Sequence, residues 1–200
     1  MASQAWQITA PGQLSLVDVP KPTTPLGDLE VLVRMKAVAP NFRDILVVDH
    51  NPKYPAPTSP NLVPGCDGAG IVEDVGAGST WKKGDTVLIH PNSWLSGSDV
   101  RSFDPLRTLG SGTMQGTLRR WAVWRDDQLI AAPTNLSLVE TSTLFTAGVT
   151  AWNVLMHGFC KLRPGLTVVT QGTGGVSCWA IMVSPVCCGF VVRGTDLLPR

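Results

Sequence analysis

The sequence predicts a β-barrel followed by the opening of an α/β unit, and three observations carry this prediction. Residues 1–132 contain short β-branched runs separated by glycine and proline turn signals. From Pro133 onward, apolar residues recur at helical spacing instead. A short apolar run then ends in a cluster of glycines. We therefore expect two parts, a catalytic-type barrel over residues 1–132 and a connecting helix with a partial α/β domain over residues 133–200.

Six strands are predicted in the first part. The β-branched runs are Leu14–Val19, Leu29–Val38, Ile71–Val75, Thr86–Ile89, Thr117–Val123 and Leu129–Ala132. Many short strands at this spacing are typical of a closed or partly closed barrel. The irregular stretch Pro91–Gly116 is rich in serine and glycine, and a loop of that length is usually functional or mobile.

The second part begins with a helix signal. Ser137 and Glu140 have the spacing of a capping box, in which each side chain satisfies a backbone N–H of the other residue. A buried strand is predicted at Leu166–Thr170, and a second one at Gly189–Val192. Between them, Pro185 is expected to disrupt a helix, because proline in a helix interior costs ~3 kcal/mol or more.

Composition excludes several classes of protein. Of the 200 residues, 44% are apolar and 16% are charged, which is enough for a core and too apolar for a disordered chain. The formal net charge of +1 and the lack of a cationic run make nucleic acid an unexpected partner. Five irregularly spaced cysteines argue against a disulfide framework, and no secretory signal opens the sequence. We expect a cytoplasmic protein with no membrane anchor, since glycine, proline and polar residues interrupt the uncharged stretch after Arg163.

The glycines after the predicted strand Leu166–Thr170 suggest a phosphate-binding loop. Gly172 permits a tight turn, and Gly174 lets the backbone approach a pyrophosphate at a helix N-terminus. Ser177 occupies the third position of the pattern, where its small side chain allows close packing of helix and strand. An ordinary glycine-rich turn is the alternative.

Four sequence blocks, taken in order, resemble the medium-chain dehydrogenase/reductase superfamily, and its zinc-independent quinone- and enoyl-reductase-like branch most of all. The blocks are Ala39–Asp44, Pro64–Gly76 with Gly84–Val87, Gly116–Leu118 with Ala147–Trp152, and Pro164–Ser177. The resemblance covers residues 5–182. It implies a GroES-like catalytic barrel followed by the start of a Rossmann domain. It also implies an NAD(P)-dependent oxidoreductase that transfers hydride to or from a carbonyl, a quinone or an activated alkene.

The resemblance also suggests site residues. Family members often hold a tyrosine where this chain has Phe42, so Asn41 is the remaining neutral donor, with Asp44 or Arg43 to orient it. Alternatively, Asn41 only fixes a turn, and Arg43 and Asp44 form a surface pair worth little. Thr150 matches a position near the nicotinamide, or is a β-branched residue packed within a helix. The expected cofactor-binding residues are Thr150, Gly172, Thr173, Gly174, Gly175, Val176 and Ser177.

Zinc is not expected. The family's catalytic ligand blocks align with Asn41, Cys66 and Thr146, of which only Cys66 is a zinc ligand type. The cysteine cluster of the family's structural zinc lobe is absent from the sequence as well. The expected cofactor is NADP or NAD, with NADP slightly favoured. Arg193 would suit a 2′-phosphate, whereas Asp196 would suit a ribose hydroxyl.

The length of the chain raises an alternative function. A complete Rossmann domain needs about six strands, so we expect a C-terminally truncated member of the family, with weak or no dinucleotide affinity. The expected partners are a nicotinamide dinucleotide and a small-molecule substrate, with a homo-oligomer only in a full-length form. The alternative is a non-catalytic remnant that folds as a barrel and binds a full-length paralogue.

Overall fold

A computed structural model describes residues 2–54, 58–92, 101, 104, 107–188 and 192–195, with the backbone alone for 185–188 and 192–195. The chain divides into two compact units, Met1–Thr143 and Leu144–Arg200. The predicted division after residue 132 stays a prediction. Most of the predicted loop Pro91–Gly116 lies outside the described residues.

The first unit consists mainly of antiparallel β-structure. Strands β1 and β2 form a hairpin, and the other five form a sheet in the order β6-β3-β4-β5-β7. The strands are β1 (Ala2–Ala10), β2 (Gln13–Pro20), β3 (Glu30–Ala39), β4 (Asp67–Val75), β5 (Thr86–Ile89), β6 (Trp121–Arg125) and β7 (Leu129–Ala131), and the helices are α1 (Phe42–Val48) and α2 (Leu138–Ser142). The predicted barrel-like fold class is confirmed.

Two strands depart from the sequence prediction. Strand β1 was not predicted, because its inward positions include Ser3 and Ala5, which are buried but give little hydrophobic signal. The strand predicted at Thr117–Val123 is wrong in its limits, and the structure has β6 at Trp121–Arg125 instead. The N–H groups of Thr117 and Leu118 donate to the carbonyls of Gly65 and Pro64, so this segment pairs with a loop.

The core of the first unit lies within the five-stranded sheet. Val31 and Val33 of β3 are buried with Val87 and Ile89 of β5 and Trp124 of β6. Leu32 between them is buried too, and the register with β4 shifts at this point, so β3 is covered on both faces here. A smaller cluster of Ile8, Val47 and Leu62 packs α1 against β1.

The second unit begins an α/β domain. It contains a π-helical stretch (Leu144–Val149), α3 (Thr150–His157), β8 (Val168–Gln171), α4 (Gly175–Cys188) and β9 (Val192–Thr195). Strands β8 and β9 pair in parallel, with α4 as the connection between them. A parallel pair joined through a helix is the unit from which a Rossmann domain is built, so the predicted start of such a domain is confirmed.

Helix α4 contradicts the expected disruption at Pro185, because it continues through that residue to Cys188. Pro185 lies in the last turn of the helix, where its missing N–H removes one hydrogen bond near an end that frays in any case. The turn before it is well anchored. Ala180 and Ser184 are buried, and the Ser184 hydroxyl donates to Ala180 O at 2.6 Å.

The sequence prediction of a helix capped by Ser137 is correct. The Ser137 N–H donates to Glu140 Oε2 at 2.8 Å, and the Glu140 N–H donates to Ser137 Oγ at 3.3 Å. The helix that they cap, α2, has only five residues. Among the described residues, no helix combines the length and the apolar character that crossing a membrane requires.

Candidate active site and cofactor loop

The sheet register assembles a polar cluster in the first unit. Ala39 at the end of β3 pairs with Asp67 at the start of β4. Asn41 follows β3 and precedes α1, so its side chain lies next to Cys66 and Asp67. Residues that are 25 positions apart in the sequence are therefore held together by strand pairing.

The amide group of Asn41 donates to three protein atoms. Its Nδ2 lies 3.1 Å from Asp67 Oδ2, 3.1 Å from Ala39 O and 3.4 Å from Cys66 Sγ. An amide nitrogen carries only two hydrogens, so these acceptors use its whole donor capacity. The half-buried Asn41 side chain also forms the capping box of α1 with Asp44, in which it faces the Asp44 backbone N–H.

Asp44 fixes the backbone of Asn41. Its Oδ2 accepts the Asn41 backbone N–H at 2.8 Å, and its Oδ1 accepts a hydrogen bond from Arg43 Nε at 3.2 Å. The alternative that Arg43 and Asp44 form a surface pair is wrong, since their side chains are only 17% and 7% exposed. The sequence did not show this burial, because helix α1 was not predicted.

Arg43 links the cluster to groups that the sequence analysis did not place there. Its Nη1 donates to Tyr54 Oη at 3.1 Å and lies 3.5 Å from Ser111 Oγ, and its Nη2 donates to Leu109 O. Burial by itself lowers the pKa of Arg43, but Cys66, Asp44 and Tyr54 outweigh it and raise the pKa above its ordinary value. Arg43 therefore carries a permanent positive charge. The chain's single tyrosine was the one available signal for this contact.

The polarity of this cluster differs from that of a metal centre. A metal ion would be bound by lone pairs, whereas Asn41 directs N–H donors at the Cys66 sulfur and at the Asp67 carboxylate. In the part of the chain that the structure describes, no group of three or more histidine, cysteine, aspartate or glutamate side chains is placed to hold a metal ion.

The glycine-rich loop lies between β8 and α4, as the sequence predicts. Gly172 has φ +74°, a conformation that a residue with a Cβ adopts only with strain. The Ser177 hydroxyl donates to Gln171 O at 3.1 Å and ties the first turn of α4 to the end of β8. This tight turn directs the N-terminus of a 14-residue helix towards the loop.

The other two loop glycines, Gly174 and Gly175, have different surroundings. A Cβ at Gly174 would meet no atom within 4 Å, so there is open space above this backbone. A Cβ at Gly175 would come within 3.1 Å of Ala147 Cβ, so Gly175 allows close packing. The sequence analysis assigned that packing role to Ser177, and the structure gives it to Gly175 as well.

The other candidate cofactor residues lie on or near this loop. Thr173 and Val176 are exposed. Thr150 is an exposed first residue of α3 whose hydroxyl donates to Thr146 O at 2.5 Å, so it is not packed within a helix. Asp196 and the side chain of Arg193 lie outside the described residues.

Comparison with known proteins identifies the family. Residues 27–134 match the alcohol dehydrogenase GroES-like domain, which is more than half of the chain. The chain belongs to the medium-chain dehydrogenase/reductase superfamily. The relatives and solved structures that the chain matches are named mainly as alcohol dehydrogenases and oxidoreductases, which does not favour the alternative of a non-catalytic remnant.

Three relatives illustrate this membership of the superfamily. A zinc-type alcohol dehydrogenase-like protein of Schizosaccharomyces pombe is 41% identical over 155 residues, which is 76% of this chain and 44% of that protein. A trans-enoyl reductase of Aspergillus sclerotiorum is 36% identical over 74% of this chain and 36% of its own length. A solved NAD-dependent alcohol dehydrogenase superposes with a TM-score of 0.79 at 30% identity, covering 96% of this chain and 57% of that one. The chain spans about half the length of the curated relatives that it matches.

Proposed function

We propose that this chain carries the substrate-binding barrel and the phosphate-binding loop of an NAD(P)-dependent oxidoreductase. The reaction is hydride transfer to or from a carbonyl, a quinone or an activated alkene. The observation that carries the proposal is the loop after β8, with Gly172 at positive φ and open space above Gly174. The names of the relatives, an alcohol dehydrogenase and an enoyl reductase among them, support the reaction class.

The loop residues bind the cofactor. When bound, the nicotinamide dinucleotide supplies or accepts the hydride. Backbone N–H groups over Gly174–Ser177 point from the helix N-terminus and suit a pyrophosphate, which the helix dipole also favours. We propose NADP or NAD as the dinucleotide, with Thr150 near the nicotinamide.

Asn41 and Asp44 provide the polar side of the substrate site in this proposal. Asp44 holds the Asn41 backbone, while Asp67, Cys66 and Ala39 take up the amide hydrogens. The half-buried amide of Asn41 then offers a polar surface to a hydroxyl on the substrate, such as that of an alcohol or a hydroquinone. Asn41 would then orient the substrate, and Asp44 is a positioning residue.

We propose that hydride transfer here needs no zinc. Asn41 donates hydrogen bonds to the only thiol near the family's ligand blocks, and neither Asn41 nor Thr146 is a zinc ligand type. Metal analysis of the purified chain and of Cys66→Ser should find no stoichiometric zinc in either. About one equivalent of zinc that is lost with Cys66→Ser would contradict the proposal.

The loop is tested by pairing two glycine variants. Gly174→Val places its side chain in open space, so we expect unchanged thermal stability and loss of the NADPH and NADH signals in ligand-observed NMR. Gly172→Ala forces a Cβ into the left-handed region, so we expect about 1–2 kcal/mol lower stability as well as weaker binding. Dinucleotide signals that are absent from the wild type, or that persist in Gly174→Val, would overturn the proposed function.

A further inference from the structure

A cleft on the first unit concentrates positive charge and shares no lining residue with the polar cluster or the glycine loop. It has a volume of about 440 Å³ and is lined by Lys21, Arg34, Lys36, Arg120 and Trp121, with buried Met35 beneath them. No carboxylate lines it among the described residues. The four cations come from three separate parts of the sequence, which explains why no cationic run was visible there.

The strands hold these side chains in fixed positions. Arg34 and Lys36 of β3 both line the cleft, and the register of β3 with β4 shifts at Lys36. Arg34 pairs with Trp121 of β6 in the sheet register. The backbone of Arg120 is fixed from both sides, since its N–H donates to Gln4 O at 2.8 Å and its carbonyl accepts the Met35 N–H at 3.1 Å.

Two of the cations gather around one indole ring. Lys21 Nζ lies 3.8 Å from the ring centroid of Trp121, and Arg34 Cζ lies 5.9 Å from it. Cation–π contacts of this kind hold the two cations beside the ring but leave their formal charges in place. The cleft therefore brings like charges together without neutralising them.

Among the described residues, one carboxylate compensates this charge. Glu73 Oε1 lies 3.0 Å from Arg34 Nε, but the two are not aligned for a hydrogen bond, and this buried Nε has no hydrogen-bond partner among the described residues. Lys21, Lys36 and Arg120 form no ion pair with any described residue. Three cations with no ion-pair partner among the described residues thus line the same recess as the Arg34 guanidinium.

We propose that this cleft is a binding site for a small multivalent anion of the phosphate class. Several positive charges in one recess match a ligand with more than one negative charge, and guanidinium groups pair with phosphate oxygens in bidentate geometry. The site belongs to the first unit alone. It is independent of the dinucleotide loop and of the proposed reaction.

The experiment is calorimetric titration of the full chain with inorganic pyrophosphate at low ionic strength. We expect saturable binding at the cleft that is weakened by added salt and is retained when Gly174→Val blocks the glycine loop, which is itself proposed to hold the pyrophosphate of a dinucleotide. Lys36→Gln and Arg120→Gln should each weaken it about tenfold, the equivalent of ~1.4 kcal/mol. The matched control is Lys83→Gln, which removes the same charge from an exposed position outside the cleft and should leave the affinity unchanged. Gly174→Val should leave it unchanged too.

Three outcomes would overturn the proposal. One is the absence of saturable binding, and another is an equal effect of Lys83→Gln, which would show a general charge effect. The third is loss of binding in Gly174→Val but not in the cleft variants, which would assign pyrophosphate to the glycine loop. A parallel arm with phosphatidylcholine vesicles containing phosphatidylglycerol separates the sources of phosphate, and binding to vesicles without binding to pyrophosphate would also contradict a soluble ligand.

Discussion

The two units of this chain bury their apolar side chains to different extents. In the first unit, the sheet encloses a core in which Val31, Val33 and Ile89 have no exposed surface. In the second, Val169 of β8 is 68% exposed and Met182 of α4 is 53% exposed. Parallel sheets are usually covered on both faces, which the described part of this unit does not achieve. The polar cluster around Asn41 therefore rests on a closed core, whereas the glycine loop depends mainly on its own turn geometry.

The largest expected difference in stability is between two truncations, one of a side chain in each unit. Ile89→Ala removes a fully buried side chain and should lower the free energy of unfolding by about 2–5 kcal/mol. Val169→Ala truncates an exposed side chain and should change it by less than about 0.5 kcal/mol. Chemical denaturation followed by circular dichroism measures both. Equal losses would show that β8 is covered in solution and that the contrast between the units does not hold.

An effect of comparable size is expected from the buried ion pair of the first unit. Arg43→Met leaves the buried Asp44 carboxylate without its guanidinium partner and should cost about 3–5 kcal/mol. The control is Arg125→Gln, which breaks the exposed pair with Asp127 and should have no measurable effect. The same denaturation experiment compares them. A neutral Arg43→Met variant would mean that the polar cluster tolerates loss of its central cation.

The smallest effect is a dependence on pH that belongs to the first unit alone. Burial by itself raises the pKa of Asp126, but hydrogen bonds from Ser79 and Thr80 outweigh it and lower the pKa below 3.8. Since the folded pKa is the lower one, this stabilisation is complete above the unfolded pKa of about 3.9 and is lost as pH falls through the folded pKa. Asp126→Asn should flatten that part of the stability profile below pH 4. An unchanged profile in the variant would assign the acid sensitivity to other carboxylates.

Local patterns in the sequence predicted the fold better than the candidate site. The limits of β5 were predicted correctly because Thr86–Ile89 is a compact β-branched run between turn signals. The glycine loop was found because its turn, helix start and close approach are all local requirements. Asp67, Tyr54 and Ser111 were not placed in the cluster, because strand register and loop contacts bring them to Asn41 and Arg43. The cationic cleft was missed for the same reason.

The π-helical stretch Leu144–Val149 limits which changes in length the second unit tolerates. Helix α4 approaches this stretch closely at its two small residues, Ala147 and Gly148. A Cβ at Gly148 would lie 3.3 Å from the Trp179 ring, and Ala147 lies against Gly175. A π-turn accommodates one more residue than an α-turn, and each residue of an α-helix corresponds to about 100° of rotation. Deleting one residue here would let the stretch relax to an α-helix and rotate this small face away from α4. Exposed Val149 can therefore vary in identity, while the number of residues between Leu144 and Thr150 is constrained.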